Sequence, residues 1–224
     1  MLELRGLRGK NGSKLKLMLQ RVDAEMAEFE LCTTKLQALR SVHSRMLKDA
    51  LVGISSDRLR EEIEQLQTVL SASLLKLGAK KAFGTMCEKL RGLMADAQRA
   101  NGEIRDMLGA SFGRLNAEFG FSLALAKGPD LDRFTEELGL IERNYVQYLG
   151  LSQALRLSQP KFMEQFRRML LSKLRVVFES ASSELELWSR TASNQVDQQL
   201  SDRRRAFKQR REALQRIQSA AGEL

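Results

Sequence analysis

The sequence predicts an all-α fold, an elongated antiparallel bundle of about four long helices with a short irregular Gly/Phe-rich insert, and three observations lead there. Apolar residues return alternately every three and four positions along most of the chain, the spacing of helices that each bury one stripe. The only prolines among the 224 residues, Pro129 and Pro160, fall outside the periodic runs. Leu, Ala, Glu, Gln, Lys and Arg dominate, and runs of β-branched residues bounded by turn signals are missing, a composition suited to long helices.

Residues 1–12 are basic and glycine-rich (Arg5, Gly6, Arg8, Gly9, Lys10, Gly12). They read as a flexible lead-in, with Ser13 as the N-cap of the first helix. Leu15, Leu19, Val22, Met26, Phe29, Thr33, Leu36, Leu39 and Val42 carry its seam toward Leu51. Gly53-Ile54-Ser55-Ser56-Asp57 then stops one helix and restarts another, the pattern of a tight helical hairpin. The second helix runs through Leu59, Ile63, Leu66, Leu70, Leu74 and Leu77, slips, and resumes as Phe83, Cys87, Leu90, Met94 and Ala97, with a bend expected at Gly78 and Gly84. Residues 13–100 thus form a helical hairpin ending at Asn101-Gly102.

Residues 101–128 change character, because Gly102, Gly109, Gly113, Gly120 and Gly128 interleave with Phe112, Leu115, Phe119, Phe121, Leu123 and Leu125. One or two short helices are expected here, closed by Lys127-Gly128-Pro129-Asp130. Two roles are open for the segment. It is either packed core, or a bundle tip that presents Phe119, Phe121, Leu123 and Leu125 to a bilayer interface with Lys127 at the headgroups.

Residues 129–224 supply a second helical pair that completes one bundle with 13–100. Leu131, Phe134, Leu138, Ile141, Tyr145, Tyr148, Ser152 and Leu155 mark a third rod, and Ser158-Gln159-Pro160 opens a fourth. The fourth seam is the longest: Phe162, Phe166, Leu170, Leu174, Val177, Ala181, Leu185 and Trp188, then Val196, Leu200, Phe207, Leu214, Ile217 and Ala221. At about 1.5 Å per residue such a helix would reach roughly 90 Å and needs partner helices along its length.

The net charge of +9 is concentrated in clusters. These are Arg5, Arg8, Lys10, Lys14, Lys16; Lys76, Lys80, Lys81; and Arg203, Arg204, Arg205, Lys208, Arg210, Arg211. Each reads either as the solvated face of a charged helix or as a contact for an anionic surface, lipid or nucleic acid. Nucleic acid is the less favoured partner, since the last cluster lacks interleaved aromatics and too little seam follows Arg211 for a dimer zipper.

Catalytic constellations fail one by one. Gly9-Lys10 is followed by Asn11 rather than Ser or Thr, and Leu4 stands where a phosphate-binding loop would begin with glycine. A single histidine, His43, reads as a surface or seam residue, and Cys32 and Cys87 read as small apolar residues in a reducing cytosol. Glu61-Glu62 and Glu136-Glu137 sit among Arg and Lys, as members of i,i+4 ion pairs on solvated faces. No enzyme activity, cofactor or metal is expected. No stretch approaches the length of apolar run that a membrane span requires.

The C-terminal half carries Phe119-Gly120-Phe121, Tyr148-Leu149-Gly150, Ala154-Leu155-Arg156-Leu157, Leu174-Arg175-Val176-Val177-Phe178-Glu179-Ser180-Ala181, Glu186-Leu187-Trp188-Ser189 and Gln198-Gln199-Leu200-Ser201-Asp202-Arg203-Arg204. These motifs resemble the helical neck and trunk that follow the GTPase head in bacterial dynamin-like proteins. The resemblance covers residues 100–221, and residues 13–100 by helical pattern alone. It implies a non-catalytic stalk that assembles with itself and with a GTPase head or partner chain, and that binds or remodels membranes from the cytoplasm, peripheral to the inner membrane. The nucleotide-binding head has no counterpart in this sequence, so a stalk fragment, a truncated product or one half of a split pair is implied. The candidates for contact with an anionic surface are Lys80, Lys81, Arg203, Arg204, Arg205, Arg210 and Arg211. The alternative function is a coiled-coil adaptor or scaffold that binds a protein or nucleic acid through basic helical faces.

Overall fold

The computed structural model describes the backbone of residues 2–72, 78–149 and 159–222, and the side chains of 12–72, 78–149 and 159–220. It is a helical bundle, and no strand occurs among the described residues. The helices are α1 (Leu2–Gly53), α2 (Ser56–Ala72), α3 (Ala79–Phe119), α4 (Asp132–Val146), continued by a 3-10 turn at Gln147–Leu149, and α5 (Pro160–Gly222). Leu74, Lys76 and Leu77, and the third-rod positions Ser152, Ala154, Leu155, Arg156, Leu157 and Ser158, lie outside the described residues, as do the side chains of Arg5, Arg8 and Lys10.

Two boundaries differ from the sequence reading. Helix α1 begins at Leu2 rather than after Ser13. Its early glycines cost about 1 kcal/mol each, but the Leu, Arg and Lys around them are strong helix formers, and extending an existing helix is easier than nucleating one. Helix α3 runs straight through Asn101-Gly102 to Phe119. Ile104, Leu108, Phe112 and Leu115 continue its buried stripe at helical spacing, so packing overrides the local breaker signal and only residues 120–131 are irregular.

The chain breaks between α1 and α2 at the Gly53–Asp57 segment, where its residues place a stop and a restart. Ser55 Oγ accepts the N–H of Arg58 at 3.2 Å, an N-cap bond, while Ile54 is fully buried. Helix α3 ends at Gly120, whose φ of +61° is open to glycine at no steric cost, with its N–H donating to Asn116 O at 3.0 Å.

The chain divides into two compact units, each assembled from segments distant in sequence. Unit 1 takes residues 1–42, 111–124 and 192–224, and unit 2 takes 43–110 and 125–191. In unit 2, Leu59, Ile63, Leu66 and Leu70 of α2 pack with Phe83, Leu90 and Met94 of α3, Phe134 and Leu138 of α4, and Phe166, Leu170, Leu174 and Phe178 of α5. Phe166 sits at the centre of an aromatic group, its ring 6.3 Å from Phe83 and 5.9 Å from Tyr145. Unit 1 has a narrower core, built from Val22, Phe29, Cys32 and Leu36 of α1, Phe112 and Leu115 of α3, and Ala192, Val196 and Leu200 of α5.

Candidate functional site

Residues 120–131 form a strap without regular secondary structure, and polar side chains hold its backbone in place of helix or sheet bonds. In unit 1, Asn116 accepts the N–H of Leu123 at 2.8 Å and donates to its carbonyl at 2.9 Å. Gln199 does the same for Ser122, at 2.9 Å in both directions. Two amide side chains thus pair the strap as a neighbouring strand would. Gln195 Oε1 accepts the N–H of Ala124 at 3.2 Å.

Arg203 closes the start of the strap. Its guanidinium donates to Phe119 O and, at 2.6 Å, to Gly120 O, two carbonyls left over where α3 ends. The same group stacks 4.7 Å from the centre of the Phe121 ring. Within unit 2, Trp188 Nε1 donates to Ala126 O at 3.0 Å, Asn101 Nδ2 donates to Pro129 O at 2.9 Å, and Gln98 accepts the N–H of Leu131 at 3.2 Å. A Cβ on Gly128 would lie 3.4 Å from Asn101 Oδ1 and 3.8 Å from the Trp188 ring, so the strap runs in van der Waals contact with both side chains here.

This arrangement corrects the tip reading. Phe121 is 8% and Leu123 6% exposed, so both belong to the core of unit 1. Phe119 and Leu125 are half-buried, and of the five tip candidates only Lys127 is exposed. Lys35 stands over the Phe119 ring at 5.7 Å and reaches Glu118 at 3.4 Å.

The last basic cluster is divided by the fold into two kinds of residue. Arg203 is committed to the strap; Arg210 pairs with Glu25 at 2.9 Å and Arg211 with Asp23 at 3.4 Å. Arg204, Arg205 and Lys208 are exposed and make no ion pair among the described residues. The ion pairs, together with Phe29 against Phe207 at 5.6 Å, fix an antiparallel register between α1 and α5. That register brings Met18 abreast of Ile217, and both are exposed although they stand beside the seam. Leu17 is exposed as well, and Lys14 and Arg21 lie within one turn of Met18. Here the helix pair offers apolar side chains edged by cations.

The remaining candidates are simpler. Lys80 and Lys81 are exposed on α3 in unit 2, and Lys81 borders a groove of about 370 Å3 with Glu62, Val69 and Lys89. Glu62 is buried, not solvated as the sequence suggested, and is matched by Arg58 at 3.0 Å and Lys89 at 3.2 Å. His43 is a seam residue, not a surface one: it is buried, with Nε2 2.8 Å from Ser189 Oγ, and desolvation pushes its pKa down. Burial pushes the Cys32 thiol up and the Cys87 thiol to about 12, which makes both unreactive. Among the described residues there is no cluster of metal-ligating side chains, and no helix is long and apolar enough to cross a membrane. No family model, curated protein or solved structure matches this chain.

Proposed function

We propose that this chain acts as the non-catalytic helical stalk of a dynamin-like protein, assembling with copies of itself and docking peripherally on an anionic membrane. The observation that carries the reading is the basic helix pair of unit 1, where Met18, Leu17 and Ile217 are exposed beside Lys14 and Arg21, with Arg204, Arg205 and Lys208 making no ion pair among the described residues. Each such cation contributes about 1 kcal/mol near an anionic leaflet. Partial burial of the apolar side chains at the interface adds to this through the same hydrophobic term that folds proteins.

The sequence resemblance supports the reading from a second side. Phe119-Gly120-Phe121, Trp188, Gln199 and Arg203, all within the resembling motifs, are among the residues that form and hold the strap. They act as packing determinants, the role expected of stalk motifs.

Co-sedimentation with vesicles containing phosphatidylserine, beside vesicles of phosphatidylcholine alone, tests the docking. The chain should pellet with the first and not the second, and Arg204→Glu with Arg205→Glu and Lys208→Glu should abolish pelleting while leaving the far-UV circular dichroism unchanged. Equal binding to both vesicles, or none to either, would overturn it. The same arginines also suit a polyanion, so a DNA shift assay belongs beside the vesicles; retardation of DNA without vesicle binding would favour the scaffold reading.

A further inference from the structure

We infer that unit 2 binds a second copy of this chain through the outer face of α5, packed antiparallel on the same face of the other copy. The inference rests on the self-assembly half of the proposed function and is independent of the membrane half.

The surface is apolar where a solvated helix face would be charged. Met169, Val176 and Leu187 are 42%, 61% and 65% exposed. They are seven and eleven residues apart, two and three helical turns, so they fall on one line along α5. Ser172, Ser180 and Ser183 fill the same narrow arc, and between Met169 and Leu187 no charged residue lies within it; Arg190 follows one turn beyond. Beside this line runs a groove of about 690 Å3, whose walls include Leu47, Leu51 and the exposed Val52 together with Ser182 and Ser183. Small residues at the centre with large apolar ones at either end allow two helices to approach closely and interlock.

Charge decides the occupant and its direction. The N-terminal part of the face is edged by cations, Arg168, Lys173 and Arg175, and the C-terminal part by the carboxylates Glu179, Glu184 and Glu186. A parallel pair would set like against like. An antiparallel pair about a two-fold axis near Phe178 sets Met169 against the second copy's Leu187 and Val176 against its Ser180. The same register lays Lys173 beside the second copy's Glu184 on one edge, and Arg168 and Arg175 beside its Glu186 and Glu179 on the other. The face is therefore complementary to itself in shape and sign, as an isologous interface must be. Lys173 makes no ion pair among the described residues, and Glu184, whose one carboxylate oxygen pairs with Arg133, keeps its second oxygen for a lysine of the other copy.

Sedimentation equilibrium on the intact chain tests this directly. The wild type should be a dimer in reversible exchange with monomer. Val176→Glu should weaken association by roughly a hundredfold or more, since it places a charge at the centre of the contact, with the far-UV circular dichroism unchanged because the residue is exposed. Lys173→Glu and Glu184→Lys should each weaken it, and the double exchange should restore it, because reversed pairs re-form across the two-fold. A monomeric wild type overturns both this inference and the self-assembly reading. A wild type whose association survives Val176→Glu, or a double exchange without rescue, overturns this interface alone.

Discussion

Three consecutive arginines occupy α5 at 203–205, and replacing them one at a time should give sharply unequal results. Arg203 donates to two carbonyl oxygens at the end of α3 and stacks on Phe121. Hydrogen bonds from a charged donor contribute about 1.5–3 kcal/mol in such settings, and a partly exposed cation–π contact about 0.5–1 kcal/mol. The group is partly exposed, which argues for the lower half of the combined range, about 2–3 kcal/mol for Arg203→Ala. Arg203→Lys keeps the charge but not the two-pronged geometry, and should lose roughly half of that. Arg204→Ala and Arg205→Ala should stay within about 0.5 kcal/mol of the parent. Urea titrations followed by far-UV circular dichroism give the three midpoints. The reasoning fails if Arg203→Ala unfolds at the parent's midpoint, or if Arg204→Ala costs as much.

Other perturbations follow from the same geometry. Gly120→Ala forces a left-handed conformation on a residue with a side chain and brings its Cβ to 3.3 Å from the Arg203 guanidinium; thermal melts should show a loss of about 1–2 kcal/mol or more. His43 is held below its ordinary 6.5 by burial, so the unfolded chain binds the extra proton first: stability is complete above pH 6.5 and falls as the pH drops below it. Melting curves from about pH 7.5 down to about 5.5 should show this slope, and His43→Gln should flatten it. A maleimide at neutral pH should label neither Cys32 nor Cys87 in the folded chain and both in denaturant, read by mass spectrometry, because both thiols are buried and their pKa values raised.

The helical seams were legible because burial on one face of a helix leaves a three-and-four spacing in the sequence. From Phe166 to Leu200 the apolar series on α5 is buried as that spacing requires. It stops working at Ile217, where the register of α1 still supplies a neighbour but the side chain remains exposed. Asn101-Gly102 misled because a local stop signal is weak beside four further buried residues on the same stripe. On α1 the seam passes through Cys32 and His43 rather than Thr33 and Val42, a one-residue drift at two places along the helix.

The strap's clamp was the least legible part, since composition treats Arg203, Arg204 and Arg205 alike. One signal could have separated them. Arg203 stands three residues after Leu200 and four before Phe207, on the seam itself, whereas Arg204 and Arg205 stand off it. Gln195 and Gln199 lie one turn apart beside the same seam, where an amide can reach a buried backbone. Nothing in the local sequence of Asn116 announces that it would pair with both backbone groups of Leu123, because that bond depends on where the strap returns.

A polarity-sensitive dye reports most directly on whether the helix pair of unit 1 is the membrane contact. It would be attached through Ile217→Cys in one sample and through Lys127→Cys, on the strap, in another. Adding phosphatidylserine vesicles should shift the emission of the dye at 217 to the blue and leave the dye at 127 unchanged. A shift at 127 with none at 217 would return the contact to the strap, and no shift at either position would contradict membrane docking altogether.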